Sequence, residues 1–189
     1  MFKDVSSSGG TFGISFDVSG DPLRSVTRVL IDGPRGRRMP ITNPLKLNLV
    51  SVSVNNLSTN DFDFWFPEGD YKITLTPPSF GKVKVHMTHN FPSTPAVLYP
   101  LEGSADVPTN LVIAWAPITG ITGLRLELQN NAGFVFGIDL PINATSYTVP
   151  FNLLRPNAGY QLLLEAKVTD FAGNSLITTQ TISFATQAQ

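Results

Sequence analysis

From Thr11 onward hydrophobic and polar residues alternate one for one, with Phe12, Ile14, Phe16 and Val18 interleaved by Gly13, Ser15 and Asp17. A period of two is the signature of a strand with one face buried and the other in water. The turn formers Ser19-Gly20-Asp21-Pro22 end it. The same pattern predicts strands over residues 25–31, 45–54, 62–66, 71–76 and 82–88. Between them lie Asp32-Gly33-Pro34, Asn55-Asn56, Pro67-Glu68-Gly69-Asp70 and Pro77-Pro78-Ser79. Helix is largely excluded, because no window of about 11 residues keeps an apolar stripe at helical spacing free of Pro, Gly or a β-branched run.

The second half repeats the habit without repeating the sequence. A strand over 111–116 carries Trp115, and Leu124, Leu126 and Leu128 alternate with Arg125, Glu127 and Gln129. Asn130-Asn131-Ala132-Gly133 suits positive backbone φ and predicts a hairpin returning over 134–140. Tyr160, Leu162, Leu164, Ala166 and Val168 form one face of the next strand, and 176–184 closes the half after Asp170-Phe171-Ala172-Gly173-Asn174. Pro92, Pro95 and Pro100 stiffen the chain between the halves. The expected organisation is a flexible lead-in at 1–10, a β-sandwich at 11–90, a proline-rich linker at 91–95 and a second sandwich at 96–187.

Composition agrees. A chain of 189 residues has room for two domains, and 15 glycines, 15 prolines and 14% charged residues suit short strands joined by tight turns. With no cysteine there is no disulfide and no thiolate metal site, so each half must rely on its apolar core. Residues 1–90 hold ten Lys/Arg against eight Asp/Glu, and residues 91–189 three against six. Neither half has the basic excess that nucleic-acid binding requires. No apolar run reaches the ~18–20 residues of a membrane span. The start MFKDVSSSGG lacks the apolar core of a signal peptide, so an exported protein would have lost its signal.

The stretch Leu154-Arg155-Pro156-Asn157-Ala158-Gly159-Tyr160 resembles the Leu-x-Pro-x-x-x-Tyr segment that precedes strand F of fibronectin type III domains. The resemblance implies a tyrosine corner at Tyr160, its ring in the core and its hydroxyl on backbone upstream. Trp115 falls where that family puts a core Trp on strand B. Residues 168–174 and 183–186 are similar to the closing hairpin of bacterial Ig-like domains in secreted and surface proteins, and Pro100-Leu101 with Asp106-Val107-Pro108 to their opening. In the first half, Glu68-Gly69-Asp70-Tyr71-Lys72-Ile73 looks like a strand start common in Ig-like modules. The resemblance covers about 90 residues of the second half. Together with the strand pattern of the first half, which matches no family, it leads to the expectation of an all-β protein of two tandem immunoglobulin-like β-sandwich domains, secreted or on a cell surface. It implies fold rather than function, because this fold hosts adhesion, spacing, recognition and assembly alike.

Asp61-Phe62-Asp63-Phe64-Trp65-Phe66, taken as a strand, sends three phenylalanines inward and leaves Asp61, Asp63 and Trp65 together outside. Two carboxylates beside an indole suit a carbohydrate platform; the other reading packs Trp65 against the linker or the second domain. Arg35, Arg37 and Arg38 cluster in a turn and offer contact to an anion or acidic partner, or simply a solvated loop. His86 and His89, three apart on a strand, face opposite ways and lack a third nitrogen or sulfur donor for zinc. A calcium site would have to be assembled from Asp17, Asp21, Asp61, Asp63, Glu68 and Asp70, but no Asp-x-Asp-x-Asp-Gly loop is present. Asn56-Leu57-Ser58 and Asn143-Ala144-Thr145 fit the glycosylation sequon. No nucleophile elbow, phosphate-cradling glycine loop or His-Glu-x-x-His occurs, so neither catalysis nor a cofactor or metal is expected. The expected partner is a protein or a glycan, or a second copy of the chain through strand edges or the arginine turn.

Overall fold

The computed structural model describes the whole chain except residues 1, 7, 8, 20, 47, 48, 78, 80, 172 and 189, and leaves aside the side chains of 2–6, 9, 10, 17–19, 21, 22, 49 and 50. The backbone divides into two compact units, one built mainly from Thr11–Asn90 and the other mainly from Phe91–Asp170 and Ser175–Gln189. The first strand, β1 (Phe2–Ser6), is parallel to Thr178–Thr181 and groups with the second unit. Part of the expected lead-in is therefore extended backbone paired within a sheet; Ser7 and Ser8 lie outside the described residues.

In the first unit, β2 (Gly9–Ser19) is the alternating strand, and Phe12 and Ile14 are buried. The chain continues through β3 (Arg28–Asp32), β4 (Arg38–Thr42), β5 (Leu49–Leu57), a short helix α1 (Thr59–Trp65), β6 (Gly69–Thr76) and β7 (Lys82–Met87). One sheet runs β4-β3-β6-β7, all antiparallel, and β2 pairs antiparallel with β5 opposite it. Edge strand β4 carries Pro40 and edge strand β7 carries exposed Lys82 and Lys84, residues that discourage further pairing.

Three expectations for this half are corrected. Arg38, expected in the arginine turn, is the first residue of strand β4. Asn55-Asn56, expected as a break, lies within β5, where the register to β2 shifts and Asn56 takes φ +60. Asn tolerates the left-handed region, so the extra residue is absorbed as a bulge. Residues 62–66, expected as a strand, belong to α1 and the turn after it. Ser58 caps that helix, its hydroxyl accepting from the Asp61 N–H at 3.1 Å and donating to the Asp61 carboxylate at 2.6 Å. Phe62 and Phe66, four apart, then fall on one helical face and are both buried.

The second unit contains β8 (Val97–Tyr99), β9 (Ser104–Val107), β10 (Val112–Trp115), β11 (Gly123–Asn130), β12 (Gly133–Leu140), β13 (Ser146–Thr148), β14 (Gly159–Thr169) and β15 (Ser175–Thr186). A three-stranded sheet β13-β10-β8 faces the four strands β12-β11-β14-β15, with β9 parallel along β15. This is the fibronectin type III arrangement of three strands over four. The predicted inward residues Leu124, Leu126, Leu128, Tyr160, Leu162, Leu164 and Ala166 are buried in one core with Trp115 and Ile113. The tyrosine corner forms as well, the Arg155 backbone N–H donating to the Tyr160 hydroxyl at 2.8 Å. Trp115 donates its indole N–H to the Ala144 carbonyl at 2.8 Å, which satisfies the one polar atom of a fully buried ring. Pro92 and Ser93, from the expected linker, accept from the Thr178 hydroxyl at 3.2 Å each, so the proline segment is held to this unit.

The sheet β4-β3-β6-β7 of the first unit has the same strand sequence as β12-β11-β14-β15: a hairpin, an excursion, and a second hairpin whose first strand pairs with the first strand of the earlier one. Tyr71 on β6 corresponds to Tyr160 on β14, and its hydroxyl donates to the Pro67 carbonyl four residues upstream at 2.9 Å. Both halves are thus immunoglobulin-like sandwiches with a tyrosine at the same crossover.

Candidate functional site

The chemistry-bearing residues of the first unit gather around α1. Inside it, Phe62 stacks on Phe12 with centroids 5.0 Å apart and leans on Phe66 at 6.0 Å, while Phe16 meets Phe66 at 6.2 Å and Tyr71 at 5.8 Å. This aromatic cluster fixes the helix against both sheets. His89 closes its far side, its ring 5.0 Å from Phe62, with Nε2 2.8 Å from the Phe66 carbonyl oxygen and Nδ1 3.1 Å from Asp63.

Helical geometry separates the residues expected to form a carbohydrate platform. Successive side chains turn by about 100° on a helix, so Asp61 and Trp65 share a side and Asp63 points away. Asp61 is bound to Ser58 and Asp63 to His89, so neither acid stands beside the indole as a free acceptor. Trp65 itself is 51% exposed and meets Phe64 edge to face at 5.2 Å.

The arginine turn separates too. Gly33 N–H donates to Arg37 O at 2.7 Å and Arg37 N–H to Pro34 O at 3.2 Å, which joins β3 to β4 through a tight turn. Arg35, with φ +54, projects into solvent; Arg38 pairs with Asp32 at 2.7 Å across the hairpin base. Arg37 alone turns back over α1, its guanidinium carbon 4.0 Å from the centre of the Phe64 ring and 4.9 Å from that of Trp65. The turn is built around Tyr71: a Cβ on Gly33 would sit 2.5 Å from that ring, so only glycine lets the two meet. Burial pushes the Tyr71 phenol well above its ordinary range, because the phenolate would lose its water.

Beside this stack lies a cavity of about 580 Å³ between the two sheets, lined by Phe16, Ile31, Met39, Val54 and Leu57 with Arg37 and Trp65 also on its wall. The volume is that of a small-molecule site. Arg37 Nε is buried and has no hydrogen-bond partner among the described residues.

The remaining candidates are occupied or dispersed. His86 Nδ1 lies 2.7 Å from Asp70, and Glu68 accepts from the His89 backbone N–H. The side chains of Asp17 and Asp21 lie outside the described residues. Phe64, expected to point inward with Phe62 and Phe66, is instead half-exposed, because a helix turns it away from those two; Ser58 was not singled out by the sequence reading. The spacing Ser58-Thr59-Asn60-Asp61 was the available signal, since a Ser followed three residues later by an acid is a helix-start pattern.

No family model and no curated protein matches the chain. Among solved structures, similarity is found to the fibronectin(III)-like modules of CbhA from Clostridium thermocellum, at 8% identity over 98% of this chain and 90% of that one, with a TM-score of 0.33. The FN1-FN3 domains of chicken CNTN1 match at 13% identity over 85% of this chain and 55% of theirs, TM-score 0.37. A segment of two fibronectin type III domains from chicken tenascin matches at 14% identity over 80% and 81%, TM-score 0.31.

Proposed function

We propose that the chain is a non-catalytic binding and structural module of an exported or cell-surface protein, serving adhesion or the assembly and spacing of a larger structure. The observation that carries this reading is the role of its conspicuous residues. Trp115, Tyr160 and Tyr71 hold sheets and crossovers together through indole and phenol hydrogen bonds, and the acids and histidines near α1 are bound to one another. Around α1, Phe64 and Trp65 remain half-exposed beside Arg37, a surface that suits recognition rather than bond making.

The test is deletion of the coding region for these residues in the organism that encodes them. Loss of surface attachment or of assembly is the expected result. An unchanged phenotype overturns the proposal. A carbohydrate-binding reading draws on the half-exposed face of Trp65. Tryptophan emission across a panel of glycans checks it, and a panel without response ends it.

A further inference from the structure

We infer that the cavity of the first unit is a binding site for a small apolar carboxylate, with Arg37 as the group that receives the acid. This rests on the reading of the chain as a binding module and names the ligand class for it.

Three observations meet at one place. The cavity, about 580 Å³, is walled from both sheets by Phe16 and Val54 on one side and Ile31 and Met39 on the other. Such walls favour an apolar body and offer little to a sugar. Arg37 sits on the same wall, yet no carboxylate pairs with it among the described residues, and its buried Nε is left without a partner. A guanidinium donor withdrawn from water without an acceptor is costly, and a carboxylate removes that cost through charge-assisted hydrogen bonds. Finally, Arg37 is positioned rather than loose. Its backbone is held by the turn from Gly33, and its guanidinium carbon lies 4.0 Å from the Phe64 ring centre and 4.9 Å from that of Trp65, cation–π contacts that restrain the side chain.

Trp65 on the wall supplies the readout. Decanoate, kept below its micelle concentration, is titrated into the purified 189-residue chain while tryptophan emission is followed. A saturable change is expected from Trp65, since Trp115 is 1% exposed and stays constant. Decanol, with the same tail and no charge, is expected to bind roughly tenfold more weakly. R37M keeps a flexible apolar stem and removes the charge, and should bring the two probes to equal affinity with an unchanged near-ultraviolet circular dichroism spectrum. Filling the cavity by Val54→Phe or Val54→Met, whichever variant retains the far-ultraviolet circular dichroism spectrum and the denaturation midpoint of the unaltered chain, should abolish both responses.

No saturable response to decanoate in the folded chain overturns the site. Equal affinity for decanoate and decanol in the unaltered chain, or a preference that survives R37M, overturns the assignment of the acid to Arg37. Binding that persists in a folded, cavity-filled variant overturns the location. A silent titration leaves the deletion phenotype standing, and a silent deletion leaves the titration standing, so the two readings fail separately.

Discussion

Tyr71 and Tyr160 use their hydroxyls in opposite senses. Tyr160 accepts from the Arg155 N–H, and Tyr71 donates to the Pro67 carbonyl. Tyr160→Phe therefore strands a backbone donor and is expected to cost the second unit about 1–2 kcal/mol, measured by urea denaturation. Tyr71→Phe adds a pH signature. The folded phenol titrates above its unfolded value of about 10, so its contribution to stability is complete below that pH and declines as pH rises further, where the unfolded chain ionises first. The unaltered chain should lose stability more steeply than Tyr71→Phe above about pH 10. Equal slopes would show that burial of this phenol does not govern the alkaline limb.

At the scale of elements, α1 decides the character of the candidate site, and Ser58 decides α1. A helix of seven residues is too short to persist on propensity, so its cap and its two buried phenylalanines must hold it. Ser58→Ala is expected to lower the stability of the first unit by about 1 kcal/mol. Gly33→Ala acts on the facing turn. The added methyl meets Tyr71 Cε1, so either the ring or the turn must move, and an altered Trp65 emission spectrum is the expected sign. The strand expected over residues 62–66 gives way to α1 because the local pattern is ambiguous. Phe62, Phe64 and Phe66 satisfy a period of two, while Phe62 and Phe66 also satisfy a helical turn, so the local pattern fits two structures. The Ser58 cap and the contacts of Phe62 with Phe12 and His89 choose between them. Strands β8, β9 and β13, of three or four residues, are too brief for any period to register.

For the molecule as a whole, the two tryptophans make a contrasting pair. Acrylamide should quench one emission component readily and leave the other protected, because Trp65 is 51% exposed and Trp115 is 1% exposed. Trp65→Phe should leave only the protected component. Truncation in the packed second core, as in Leu162→Ala, is expected to cost about 2–5 kcal/mol, read from the denaturation midpoint.

Alternation at Phe12–Phe16 and Leu124–Leu128, the turn formers between strands, and the Leu154–Tyr160 segment were enough for the sequence alone to determine an all-β chain with a fibronectin-like second half. Those features are local: a period of two, a positive-φ glycine or a corner tyrosine acts within a few residues of itself. The tertiary structure decided what meets in the first half. Arg37 and Trp65 are far apart in sequence and come together only because the β3–β4 turn folds back over α1. The cavity beside them is likewise a property of two sheets and their separation, which no window of residues contains.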